Sequence, residues 1–268
     1  MSPVVRAAEE FLGLRRHDEG DWSLEIVPGV CGSAGSLFGG AGFAAALAVA
    51  LHGESRSFVR ASCAFRRGIR SPDTLELAES ERKVGRRVTT STVEGRTRGH
   101  PAIDVTAIST THPRDRIFSR RLEAPIPDPD DCAERSYADP TPGLIGTRLD
   151  IRVAHAADEG GTCLLWARVR DVERLDPPLI ALLSDHVAFA LGQMTGHPLA
   201  AATLEIDLHL VLPELSGWLI LGIEVDTIDE GAAHGIVRLW NEERSLVGVS
   251  TQTLMIAPSS LQSGTAGS

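Results

Sequence analysis

No apolar run in this chain approaches the roughly 20 residues that a membrane span requires. The longest, around 43–51 and 179–191, are expected to be buried helices. The first residues, MSPVVRAAEEFLGLRR, put charges where a secretory leader needs an apolar stretch, and read as an amphipathic leading helix. Cysteine is scarce: Cys31, Cys63, Cys132 and Cys163 lie far apart, with no C-x-x-C spacing and no histidine cluster beside them. That pattern disfavours zinc, any other metal and a disulfide framework, and favours reduced thiols in a cytoplasmic protein. Positive charge is in deficit too. With 26 Lys and Arg against 36 Asp and Glu, the net charge of −10 argues against a nucleic-acid surface and against general attraction to anionic lipid. The chain also lacks G-x-S-x-G, G-x-G-x-x-G and a P-loop, so an α/β-hydrolase elbow and the two common nucleotide cradles are disfavoured and no cofactor is implied.

What remains is a globular chain whose 268 residues are 43% hydrophobic, enough for substantial cores. Its strongest internal signal is a repeat. At an offset of 146, Leu37 matches Leu183, Phe43 matches Phe189, Ala44 matches Ala190, Leu75 matches Leu221 and Gly85 matches Gly231. In that frame Gly39 faces Asp185, Ser57 faces Thr203 and Thr106 faces Gln252. An acid, a hydroxyl and an amide thus stand where the first half carries less reactive groups, as in a duplicated enzyme that kept one active site.

Each half reads as a helix followed by strands. LFGGAGFAAALAVAL (37–51) is apolar on nearly every face, so other structure must wrap it. SFVRASCAFRRGI, DTLELAESERKV, RRVTTSTVEG and PAIDVTAISTT follow, rich in Thr and Val and separated by Gly- and Pro-containing turns, as antiparallel strands are. The second half repeats this with GTRLDIRVAH, an added strand TCLLWARVR, a helix PPLIALLSDHVAFALGQM opened by Pro177 and Pro178, and four further strands. The fold class expected is α+β, with an N-terminal half over residues 1–112 and a C-terminal half over 144–258. Between them, 113–143 carries six prolines and DPDDCAE and reads as a solvated connector. The polar tail is 259–268.

These motifs resemble the acyl-CoA thioesterases of the thioesterase II type, which have a double hotdog fold: two tandem halves, each a long helix wrapped by a curved antiparallel sheet. The Gly-Gly helix opening of that family is matched by LFGGAGFAAAL, and its second-half signature by SDHVAF, TLEIDLHLVLPELSGW and VSTQTLMI, over about residues 20–258. The chain departs from it at Ala41 and Ala45, where the family often has glutamines, and at EIDLHLVL, where the family strand is rich in aromatics. The resemblance implies a hydrolase acting on acyl-CoA or an acyl-carrier thioester in lipid metabolism, with Asp185, Thr203 and Gln252 as its catalytic groups. A fused pair already contains the dimer of single hotdogs, which leaves higher homo-oligomers open.

Judged as residues alone, Asp185 stands eight positions into an apolar helix counted from Pro177, where a carboxylate must find donors or stay protonated. Thr203 and Gln252 can supply donors and hold a water for Asp185 to activate as general base; direct attack by Asp185 on the carbonyl is the other route. Backbone N–H groups at Gly39 and Gly40 are candidates for stabilising an oxyanion, packing glycines being the plainer reading. Arg66, Arg67 and Arg70, and separately Arg86 and Arg87, could hold the phosphates of coenzyme A or simply line a solvated sheet face. His186 adjoins Asp185 in sequence, but neighbours on a helix point apart. Two rival functions stay open: a non-catalytic acyl-thioester-binding or assembly protein, and a hotdog hydratase or dehydratase, whose histidine motifs are missing from EIVPGVCGSAGSLFGG and from the residues after Asp185.

Overall fold

The computed structural model describes residues 6–18, 20–32, 35–112, 118–135, 143–157, 160–196, 199–211, 215–229 and 231–257; the tail 259–268 and parts of the connector lie outside them. The leading helix is α1 (Arg6–Leu12). In the first half, β1 (Trp22–Glu25) precedes α2 (Gly39–Leu51), and β2 (Ser57–Phe65), β3 (Thr74–Val84), β4 (Val88–Thr97) and β5 (His100–Thr110) follow it. In the second half, β6 (Leu149–His155) and β7 (Thr162–Val169) precede α3 (Pro177–Leu183) and α4 (Val187–Thr195). Then come β8 (Ala201–Leu210), β9 (Leu219–Ile228), β10 (Ala232–Trp240) and β11 (Leu246–Ile256).

All these strands join one antiparallel sheet in the order β1-β3-β4-β5-β2-β8-β11-β10-β9-β7-β6, with a two-residue strand added at each edge. Read from the centre outward, the order is the same in both directions except for β7, the added strand. This is a double hotdog. The halves meet where β2 pairs with β8, Cys63 opposite Ile206 and Ala61 opposite Leu208. Small side chains explain how α2 fits inside: every residue of Gly40–Leu51 is buried, and its alanines let the sheet and the helices α1 and α3 approach closely. Among the described residues no helix is long and apolar enough to cross a membrane.

Two local features differ from the sequence expectation. The connector is more than solvated chain, because Ile126 and Cys132 pack with Leu164, Trp166, Ile220 and Trp240 in a second apolar cluster on the second half's sheet. Trp166 Nε1 donates to Pro127 O at 2.9 Å, and Leu122 N–H donates to Arg244 O at 2.9 Å, so these residues strap down β7, β9 and β10. The expected continuous helix from Pro177 is broken at Ser184–His186 into α3 and α4. Ser184 Oγ donates to Ala181 O at 2.9 Å and His186 Nδ1 bonds Leu183 O at 3.0 Å, so side chains take carbonyls that a continuing helix would use. Asp185 sits in that break.

Candidate active site

Asp176 starts α3 by accepting the Leu179 N–H at 3.0 Å, with Pro177 and Pro178 behind it. The helix ends at Ser184 and presents Asp185, only 6% exposed, to the first turn of α2. There the Gly40 N–H donates to Asp185 Oδ2 at 2.6 Å. The approach is possible because residues 39 and 40 have no side chains. A Cβ on Gly39 would lie 2.6 Å from Asp185 Oδ2 and 3.0 Å from Thr203 Oγ1, and one on Gly40 would lie 2.5 Å from Leu182 O. The site therefore spans the seam between the halves: the first supplies a helix N-terminus, the second the side chains.

Gln252 reaches the carboxylate from β11. Alternation on that strand turns Ser250, Gln252, Leu254 and Ile256 inward, and Gln252 is fully buried. Its Oε1 accepts the Val187 N–H at 3.1 Å, which fixes the amide orientation. Nε2 then donates to Asp185 Oδ1 and, at 3.1 Å, to Thr203 Oγ1. Thr203 in turn donates to Asp185 Oδ1 at 3.4 Å. A β-bulge between Thr203 and Glu205 puts it there. Without that extra residue the period of two would turn Leu204 inward and Thr203 out.

The bulge also corrects the repeat frame. In the first half the matching bulge on β2 lies between Phe58 and Arg60, an offset of 145, with Ala61 opposite Ala107 as Ile206 is opposite Gln252. The spatial counterparts of Thr203 and Gln252 are thus Phe58 and Ala107, both buried, and not Ser57 and Thr106, which face the other way. A one-residue slip reverses a strand's faces, so a frame fitted mainly on the helix misassigned both. The first half holds apolar groups at both places.

Burial, the largest influence, lifts the Asp185 pKa to about 6 against the pull of Gly40, Gln252, Thr203 and the Arg135 charge. Both outcomes expected of a buried carboxylate occur together: it finds donors, and it is harder to ionise. The Gly40 N–H is already engaged by Asp185 Oδ2, whereas the Gly39 N–H makes no hydrogen bond among the described residues. Only Gly39 of that pair keeps a donor for another oxygen.

The two arginine clusters are not brought together. Arg66, paired with Asp104, and Arg67 follow the end of β2 near the start of α2, where Ile69 O accepts the Leu37 N–H and Ser36 bridges Arg70. Arg86 and Arg87 form the exposed turn between β3 and β4, beside Arg56 and thus near the far end of α2. That helix is about 20 Å long at 1.5 Å per residue. Sequence reading missed Arg135. It lies in the segment read as connector, stacks on Phe189 of α4 at 4.3 Å, and its charge acts on both Asp185 and His186. Only tertiary structure could reveal that. A cavity of about 680 Å³ is lined by α1, Thr147, Arg148 and residues 170–176; it includes Asp176 but none of Asp185, Thr203 and Gln252.

The fold is met in known proteins. Residues 129–256 match the family described as acyl-CoA thioesterase C-terminal domain. The second half is similar to that family. Among solved structures, a Novosphingobium aromaticivorans protein with a provisional thioesterase assignment is 24% identical, covers 96% of this chain and 100% of its own, and superposes with a TM-score of 0.80. An Alicyclobacillus acidocaldarius protein of unknown function with a hot dog fold gives 16%, 94%, 98% and 0.80. The acyl-CoA thioesterase II of Mycobacterium marinum gives 18%, 94%, 98% and 0.70. At these identities the superpositions establish the fold. No curated protein matches the chain.

Proposed function

We propose that the protein hydrolyses an acyl thioester, carried on coenzyme A or on a carrier protein, to the free acid and thiol. The observation that carries this reading is one carboxylate held at the seam by the Gly40 N–H, Gln252 and Thr203, in a chain whose second half is similar to a family of acyl-CoA thioesterases. Ionised Asp185 takes a proton from a water as the water oxygen attacks the carbonyl carbon. The carbon–sulfur bond then breaks, and the leaving thiolate takes a proton back from Asp185. Gln252 and Thr203 keep the carboxylate oriented, and the Gly39 N–H is the backbone donor left to meet the developing oxyanion.

The test offers the purified protein a panel of acyl-CoAs and follows thiol release with a chromogenic disulfide. Release from at least one chain length is expected; none from any would sink the hydrolase reading. Acyl-CoA that raises the unfolding temperature with no thiol released would support binding without cleavage.

A further inference from the structure

His186 is 2% exposed, and the mechanism above makes no use of it. Its Nδ1 lies 3.0 Å from Leu183 O, and since a carbonyl only accepts, Nδ1 must carry the proton. Nε2 is left as a bare lone pair, buried and without a partner among the described residues. Such an orphan acceptor is costly and calls for explanation. Charging the ring would not relieve it, because burial and the neighbouring Arg135 guanidinium push the pKa down to about 3, so the imidazole stays neutral. Its surroundings are those of the site. His186 follows Asp185 in the helix break, and its ring meets the edge of Phe38 at 6.2 Å, where Phe38 caps α2 immediately before Gly39 and Gly40. The break removes the geometric reason for keeping adjacent side chains apart, since neither residue lies within a helix.

We propose that His186 Nε2 is a substrate-binding acceptor that takes the amide N–H of the pantetheine arm, two carbons from the thioester sulfur. A neutral, buried lone pair on the residue that follows Asp185, packed against Phe38, suits a neutral donor at fixed distance from the scissile bond. Coenzyme A and carrier-protein thioesters share that amide, and no acyl group is required to supply it. The inference rests on the thioester reading.

The test uses an acyl thioester of N-acetylcysteamine and its analogue in which the amide N–H is replaced by an ester oxygen. Wild-type protein is expected to show kcat/KM roughly tenfold higher for the amide compound, the scale of one buried hydrogen bond. His186→Leu should lower that compound's kcat/KM by about the same factor and leave the ester analogue unchanged. His186→Gln, which can present a carbonyl oxygen, should restore much of the preference. Equal loss on both compounds would overturn the inference, as a merely structural role predicts. Binding to Asp185→Asn protein, followed by thermal shift, separates the two proposals. Equal affinity for both compounds there refutes the His186 contact whatever the hydrolysis result, whereas tighter amide binding with no cleavage by wild type refutes hydrolysis alone. Matched acyl-CoA and acyl-carrier-protein arms show which carrier brings the pantetheine.

Discussion

Gln252 Oε1 accepts the first N–H of helix α4 from Val187 while its Nε2 donates to Asp185 Oδ1, so one side chain both caps a helix and steers the carboxylate. Replacing it with glutamate keeps the cap but puts a second negative charge against Asp185. Like charges that close raise each other's pKa. Gln252→Glu is therefore expected to lower kcat by about 100-fold at neutral pH, the scale of one catalytic contact, and to move the pH–rate midpoint above that of wild type. A profile that does not move would show that Gln252 does not touch the titrating group in solution.

The pH dependence follows from Asp185 itself. A general base must be ionised, so kcat/KM is expected to rise with pH through about 6 and then level off. Asp185→Asn should flatten the profile and lower kcat by orders of magnitude in protein that still folds. Stability runs the other way. Because the folded pKa is raised from 3.8, this carboxyl contributes stability that is fully present below about pH 4 and lost as pH rises through about 6. Asp176, likewise raised to about 6 by burial, adds to the same trend. Urea midpoints between pH 5 and 7.5 should therefore shift less in Asp185→Asn than in wild type; an identical shift would mean Asp185 is not a titrating buried group.

Gly39 and Gly40 separate stability from catalysis. Alanine in a helix ordinarily gains 0.5–1 kcal/mol, roughly, over glycine. At Gly40 the added Cβ would press on Leu182 O, a backbone atom of α3 that cannot step aside without moving a helix. Gly40→Ala should thus lose about 1–3 kcal/mol, the usual cost of overpacking, measurable by denaturant titration. At Gly39 the new methyl would meet Asp185 Oδ2 and the Oγ1 and Cβ of Thr203, side-chain atoms of the site and not the backbone of a helix. Gly39→Ala should unfold near the wild-type midpoint yet lose most activity. The reverse ranking would contradict the placement of both residues.

Much of this was legible in the sequence, for stated reasons. The apolar GGAGFAAALAVAL announced a wrapped helix, and the added strand TCLLWARVR became β7. What stayed hidden was non-local. The side chains of Ser184 and His186 hold the helix break locally, but nothing in PPLIALLSDHVAFALGQM marks Gly40, which Asp185 meets across the seam. The bulge at Leu204 moved the true counterparts to Phe58 and Ala107, because a single extra residue reverses a strand without changing its composition. Arg135 reached the site only through a fold that pins its N–H to Ile151 O at 2.8 Å.

The arginines give the last prediction. Arg66 and Arg67 share an end of the first half with Gly39, while Arg86 and Arg87 lie near the opposite end of α2, about 20 Å off by its helical rise. The phosphates of one coenzyme A cluster on one nucleotide, so a single bound molecule should engage one pair only. The pair nearer the site is the better placed. Arg66→Ala with Arg67→Ala is expected to raise KM for acyl-CoA several-fold with kcat little changed, an effect that shrinks as salt screens the charges. It should leave the KM for an N-acetylcysteamine thioester, which has no phosphates, unaltered. Arg86→Ala with Arg87→Ala should leave both within about twofold, the range of surface changes without a partner. A KM rise confined to the Arg86 and Arg87 variant would place the nucleotide at the far end of α2. A rise of equal size on both substrates would show that the arginines support the fold and do not hold a phosphate.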